Sequence, residues 1–278
     1  MQPLTFAVLV AAALLHATWN ALVSRGSDRR STLILLVWVE GALALCALPF
    51  VAWPTRAAWL WLLLGTVLRV GALLLLLRAY GLAAFSRVYP IARGASPLLM
   101  GLFGTLILDD HLPVRAICAL LAVALGVLLI ARVDRRPAPD AAALQAGIAT
   151  AILIAAYSTV DARGVRASPD PLGYAAFGFV GEALGMAMYA FATRGKAVLG
   201  ETARAWRTGI PAGVMSTCSY LVALWAFSRA PVALVGSIRE TSVLFALLIA
   251  AFVLHEKLTS RDWIAAALIV GGAVAARF

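Results

Sequence analysis

The sequence predicts an all-α integral membrane protein of ten transmembrane helices, arranged as an inverted 5+5 repeat. Three observations predict it. The 278-residue chain is 63% hydrophobic and only 13% charged, with a mean hydropathy of +0.94. An average soluble domain is about 45–50% apolar and about 25% charged, and a soluble fold of this length has too much surface to hide so much apolar side chain. Second, ten stretches of roughly membrane-spanning length, about 20 mainly apolar residues, follow one another with short connections. Third, polar residues recur in the two halves at a nearly constant spacing.

The predicted spans are 4–23, 32–52, 58–77, 88–108, 114–131, 144–162, 172–192, 209–227, 232–254 and 262–276. No Lys or Arg precedes the first apolar run, so that run lacks the positive start of a cleaved signal peptide and reads as a true span. It ends at Arg25-Gly26-Ser27-Asp28, which breaks a helix before the second span begins. Arginines or helix breakers close most later spans, as in Arg135-Arg136-Pro137-Ala138-Pro139 and Ser168-Pro169-Asp170-Pro171. The longest polar stretch, 132–143, falls at mid-chain and divides a first unit, 1–136, from a second, 137–278. Cys46, Cys118 and Cys218 lie far apart in apolar runs without metal-site spacing, and read as buried thiols.

A mid-chain boundary invites a test for duplication. Leu108-Asp109-Asp110-His111-Leu112 matches Leu254-His255-Glu256-Lys257-Leu258 at an offset of 146, with Arg115 and Arg261 following in register. Gly126 and Gly272, Arg93 and Arg239, and Ser96 and Ser242 share that offset. Arg25-Gly26 matches Arg163-Gly164 at 138, pairing Trp19 with Tyr157, and Glu40 falls at Glu182 at 142. The offset drifts in one direction, from 138 through 142 to 146, as changes in loop length would produce. Matches among intramembrane charges are harder to obtain by chance than matches among leucines. Five spans leave the chain on the opposite side, so the second copy is inserted upside down. Inverted repeats of this kind hold a substrate site at the repeat interface near the midplane.

With these segments in view the chain resembles the drug/metabolite transporter superfamily, in its ten-helix EamA-like branch. The resemblance rests on the two helix–acid–turn–helix segments around Asp110-His111-Leu112 and Glu256-Lys257-Leu258, and on Leu15-His16-Ala17-Thr18-Trp19-Asn20-Ala21 in the first helix. The usual turn in that family is Gly-Glu-Arg/Lys-Leu, so the first copy departs further from it than the second. The resemblance implies a secondary transporter, often an exporter of amino acids or other metabolites, and supplies no substrate.

An ionisable side chain at the bilayer centre costs roughly 2.5–3.5 kcal/mol on insertion scales and normally faces a bundle interior or wet cavity. Such residues lie well inside predicted spans at Glu40, Arg69, Arg93, Glu182 and the Arg239-Glu240 pair. Burial raises a carboxylate's pKa and a neighbouring arginine lowers it. Glu40 and Glu182 therefore read as substrate or proton-coupling acids, or as structural partners of Arg69, Arg93 or Arg239. The arginine fork suits a carboxylate or phosphonate, which makes Arg93 and Arg239 candidate anion contacts. Pro90 and Pro97 bracket Arg93, so 89–97 is the expected irregular, site-forming stretch. His16, Trp19, Asn20, Tyr89, Ser96, Tyr157 and Ser242 are candidate cavity-lining residues. His16, Trp19 and Asn20 read equally as interhelical hydrogen-bond glue, and Tyr80, Tyr89, Tyr157 and Tyr220 as interfacial anchors. Asp161 sits beside Arg163 near a span end and reads as an interfacial pair. Asp110 and Glu256 read as caps of the helices that follow them.

No HExxH, GxSxG or Walker loop occurs, so neither an enzyme, a cofactor nor a metal is expected. The net charge of +10 is assigned to span-flanking arginines meeting anionic lipid rather than to nucleic acid. Connections after odd spans carry 14 Lys/Arg, and those after even spans together with the termini carry 6. The positive-inside rule then puts both termini outside, against the usual description of the family. The expected partners are a small-molecule substrate, lipid and, for a coupled carrier, protons, for a monomer or homodimer in the inner (plasma) membrane. A flippase for a lipid-linked substrate, or a non-transporting scaffold or enzyme, is the alternative.

Overall fold

The structure is a computed structural model that describes residues 2–26, 28–81, 85–131, 141–253 and 259–277. All secondary structure among them is helical. In chain order the helices are α1 (Pro3–Arg25), α2 (Arg29–Ala47), α3 (Arg56–Gly81), α4 (Phe85–Leu108), α5 (Val114–Ala131), α6 (Ala141–Arg166), α7 (Pro171–Arg194), α8 (Ala197–Arg204), α9 (Trp206–Phe227), α10 (Val232–Arg239), α11 (Thr241–Val253) and α12 (Ser260–Ala275). Seven helical stretches among the described residues are long and apolar enough to cross a membrane. Ala92–Leu108 and Val114–Leu129 are shorter apolar helices. Each of the ten predicted stretches falls on one of these helices or, for 232–254, on the pair α10 and α11.

Local sequence explains where the helices begin. Asp28 caps α2 by accepting the Arg30 N–H at 3.0 Å. Asp170 caps α7 by accepting from Leu172 and Gly173 at 2.9 and 3.0 Å, with Pro171 at the first helical position. A side-chain oxygen there satisfies amides that have no partner within the helix. At α12 the Asp262 carboxylate accepts the Thr259 amide and hydroxyl. This places a described cap just after Glu256, which itself lies outside the described residues.

One expectation about the backbone is corrected. The stretch 89–97 is continuous helix within α4. Proline removes one donor, but a membrane bundle tolerates this where neighbouring groups take up the freed carbonyls. The break falls instead at Glu240, between α10 and α11. There the Glu240 carbonyl accepts from Val243, and the Thr241 hydroxyl donates to the Ile238 carbonyl at 2.7 Å.

The packing is inside-out relative to a soluble protein. Leu60, Leu63 and Val67 on α3, Leu102 and Leu106 on α4, and Leu121 and Leu125 on α5 are exposed, while Glu40, Arg69, Arg93, Asp161, Glu182 and Glu240 are buried. An exposed apolar surface this extensive fits hydrocarbon rather than water. Cys46, Cys118 and Cys218 are free and exposed on this surface, not buried as expected, because they lie on the outward faces of their helices. Inside, α1 packs on α9 and α3 on α6; α2 packs on α7 and on α9, α3 on α7, and α5 on α12. The last pair meets at glycines. A Cβ on Gly126 would stand 2.8 Å from the Ala265 carbonyl oxygen, and one on Gly272 2.8 Å from that of Ala119.

Candidate functional site

Charged side chains converge because α2, α3, α4, α7 and α10 each turn one toward the bundle axis. Around that axis lies a cavity of about 180 Å³. Glu40, Arg69, Arg93, Glu182 and Arg239 line it, together with His16, Trp19, Asn20 and Tyr157. These nine nominated residues are thus brought together. Phe179, Ser216, Ser219 and Tyr220 complete the polar and aromatic wall, and Leu33, Leu36, Val37, Leu73 and Leu76 the apolar one.

The charges are not equivalent. Arg69 Nε lies 3.3 Å from Glu182 Oε2, and its Nη1 lies 3.8 Å from Asp161 Oδ2. Arg93 Nε lies 3.0 Å from Glu240 Oε2, an ion pair by distance although the N–H is not aimed at the oxygen. Arg93 Nη2 donates to the Ser242 hydroxyl at 2.8 Å. Among the described residues, Glu40 has no cation within 4 Å and Arg239 has no acid within 4 Å. The Glu40 carboxyl stands beside Ser216. The Arg239 guanidinium lies over the Tyr220 ring, 5.4 Å from its centroid, and its buried Nε has no hydrogen-bond partner.

Three nominated residues stand elsewhere. Glu240 is buried behind Arg93 rather than on the cavity wall, and Ser242 is spent on Arg93. Ser96 turns its hydroxyl back to the Arg93 carbonyl at 3.4 Å. Tyr89 lies outside the residues whose side chains are described. His16, Trp19 and Asn20 make contacts among themselves: the His16 and Trp19 rings meet edge-on at 4.9 Å, and Asn20 Nδ2 donates to the His16 carbonyl at 2.8 Å.

Asp161 is the residue that sequence reasoning misplaced. Helix α6 runs on to Arg166, and Asp161 is turned inward to partners on other helices instead of pairing with Arg163. It is 1% exposed and accepts from the Tyr220 hydroxyl at 2.6 Å and the Tyr174 hydroxyl at 3.1 Å. Its spacing of four residues from Tyr157 was the available signal, since residues one helical turn apart share a face. Asp110 is also corrected. It does not cap α5 but accepts the amide of Val232, the first residue of α10, at 2.8 Å. It also holds Arg166 through a two-point ion pair at 2.8 and 3.4 Å. Arg166 donates further to the Phe227 and Ala230 carbonyls at 2.9 and 3.0 Å. The ends of α4, α6, α9 and α10 are thereby tied at one end of the bundle. The cavity lies on the other side of this tie, reaching Asn20, Leu33 and Leu76 near the opposite ends of their helices.

Residues 142–278 match the EamA-like transporter family. The second half is an EamA domain. This domain supplies Tyr157, Glu182, Tyr220 and Arg239 to the cavity, and its family is one of membrane transporters of the drug/metabolite type. A solved structure described only as "Crystal structure of protein" superposes on the whole EamA-containing chain. Its TM-score is 0.78 at 19% identity, covering 100% of this chain and 99% of that one. At that identity the likeness concerns the fold alone. No curated protein sequence matches the chain.

Proposed function

We propose that the protein is a secondary transporter, an exporter or exchanger in the inner (plasma) membrane, that moves a small polar metabolite bearing an anionic group by alternating access. The observation that carries this is the central cavity, walled by charged side chains, in which Arg239 and Glu40 stand without an ion-pair partner among the described residues while the other charges compensate one another. Burying a lone charge is expensive, and a site that does so gains that energy back when a ligand or proton arrives.

Alternating access needs two halves that can rock about a shared site. The two units proposed for this are 1–136 and 137–278. The reciprocal glycine contacts support an inverted repeat, because Gly126 meets Ala265 while Gly272 meets Ala119, and both pairs differ by 146 residues. A twofold interface has that self-complementary pattern. The pairs α1 on α9 and α6 on α3, and α2 on α9 and α7 on α3, exchange in the same way. Ten spans are obtained by counting α10 with α11 as one crossing and setting α8 aside. The Asp110–Arg166 tie would then close one end while the cavity stays on the other side. A central cavity is what the non-transporting reading does not call for.

Glu40 is the acid free to take a proton or a substrate cation, whereas Glu182 is held by Arg69. In proteoliposomes with an imposed pH gradient, Glu40→Gln is expected to abolish pH-driven flux while the protein stays folded. Pulsed substrate counterflow would separate loss of coupling from loss of binding. Unchanged pH-driven flux in Glu40→Gln ends the coupling reading.

A further inference from the structure

We propose that Asp161 is a positioning residue for a monoanion subsite centred on Arg239, acting through the Tyr220 ring. The inference rests on the transporter reading above and assigns the chemistry of its site.

Two guanidinium groups lie over the Tyr220 ring, Arg69 5.3 Å and Arg239 5.4 Å from its centroid. Each cation attracts the ring through a cation–π contact, but that attraction alone does not fix the ring's rotation or height. The Tyr220 hydroxyl does so by donating to Asp161 at 2.6 Å. Asp161 is itself seated in a built socket. A Cβ on Gly65 would stand 2.4 Å from Asp161 Oδ1, and one on Gly164 2.3 Å from the Tyr174 ring whose hydroxyl holds the same carboxylate. Both helices are cut away where these side chains pass.

The consequence is a division of labour between the arginines. Arg69 lies between Asp161 and Glu182, so its charge is spent within the protein. Arg93 is spent on Glu240 and Ser242. Arg239 keeps a buried, unpartnered Nε–H and a cavity-facing fork. One uncompensated guanidinium balances one negative charge and offers two parallel donors, the geometry of a carboxylate. A phosphate dianion would need a second free cation. The subsite therefore takes a monocarboxylate group.

The test uses the purified full chain in lipid nanodiscs and 2,3-butanedione, an arginine reagent small enough to enter the cavity, with adducts mapped by mass spectrometry. In the wild type, Arg239 is expected to react at least tenfold faster than Arg69 or Arg93. Acetate is expected to slow that reaction at least threefold, and the neutral acetamide not at all. In Asp161→Asn and in Tyr220→Phe, which keeps the ring and removes only the hydroxyl, acetate protection should disappear. The double variant should do no more than either single one. Circular dichroism and melting separate these effects from misfolding. Equal reactivity of the three arginines, protection by acetamide, or full acetate protection in Tyr220→Phe overturns the proposal. The readout needs no flux. Lost protection with flux intact sinks the subsite alone, and absent flux with protection intact sinks the transporter reading alone.

Discussion

Replacing Arg166 with alanine should open the tied end of the bundle. In the wild type the guanidinium gives two hydrogen bonds to Asp110 and one each to the Phe227 and Ala230 carbonyls. A hydrogen bond to a charged group contributes about 1.5–3 kcal/mol net. Removing one partner of a fully buried ion pair costs about 3–5 kcal/mol, whereas an exposed pair is worth about 0–1 kcal/mol. The two side chains here are 26% and 9% exposed, between those limits. Loss of the arginine should therefore weaken the closed end by about 2–3 kcal/mol, or about 30- to 150-fold in the opening equilibrium. Ala230, 9% exposed beneath the tie, serves as reporter. In a background with Cys46, Cys118 and Cys218 replaced by alanine, Ala230→Cys is reacted with a membrane-impermeant maleimide. Labelling should rise at least tenfold in Arg166→Ala and in Asp110→Asn, and the double variant should exceed neither. Arg166→Lys, which keeps charge but loses the fork, should fall between. Unchanged labelling in Arg166→Ala, or two independent additive increases, would refute the reasoning.

Arg69→Ala leaves Asp161 and Glu182 without their cation, so melting of the purified protein should show a loss of roughly 3–5 kcal/mol. A melting temperature within a degree of wild type would contradict the ion-pair assignment. Gly173→Ala drives a Cβ to 1.9 Å from the Ala52 carbonyl oxygen. Backbone cannot rotate aside as a side chain can, so this variant should cost at least about 1–3 kcal/mol and melt lower than Gly185→Ala, whose Cβ meets only the Val70 side chain. Burial raises the Asp28 carboxyl, but its hydrogen bonds from Ser31 and from the backbone of Arg30 and Ser31 outweigh this and hold it below the ordinary carboxylate value. A depressed acid stabilises the fold above its unfolded-state value and loses that contribution as pH falls through its folded-state value. Asp28→Ala should thus melt lower than wild type at pH 7, and the gap should shrink on acidification towards pH 3.

The helical membrane character and the polar midplane were legible in the sequence because both are composition effects read along one dimension. Apolar runs of bilayer length mark the helices, and the cost of an intramembrane charge implies that Glu40, Arg69, Arg93, Glu182, Arg239 and Glu240 turn inward wherever they fall. The caps at Asp28 and Asp170 were likewise visible as local breaker clusters. Partnership was not legible, because it is set by rotations of separate helices about their axes. Nothing in the order of residues says that Arg69 takes Glu182 and Asp161, that Arg93 takes Glu240, or that Glu40 and Arg239 are left over. Proline marked a break at 89–97, yet the chain kept that helix and broke at Glu240, because neighbouring packing decides whether a missing donor matters. Asp161 and Asp110 were misassigned to their sequence neighbours for the same reason. Each has partners 56 to 122 positions away, and only the packed bundle brings them within hydrogen-bonding distance.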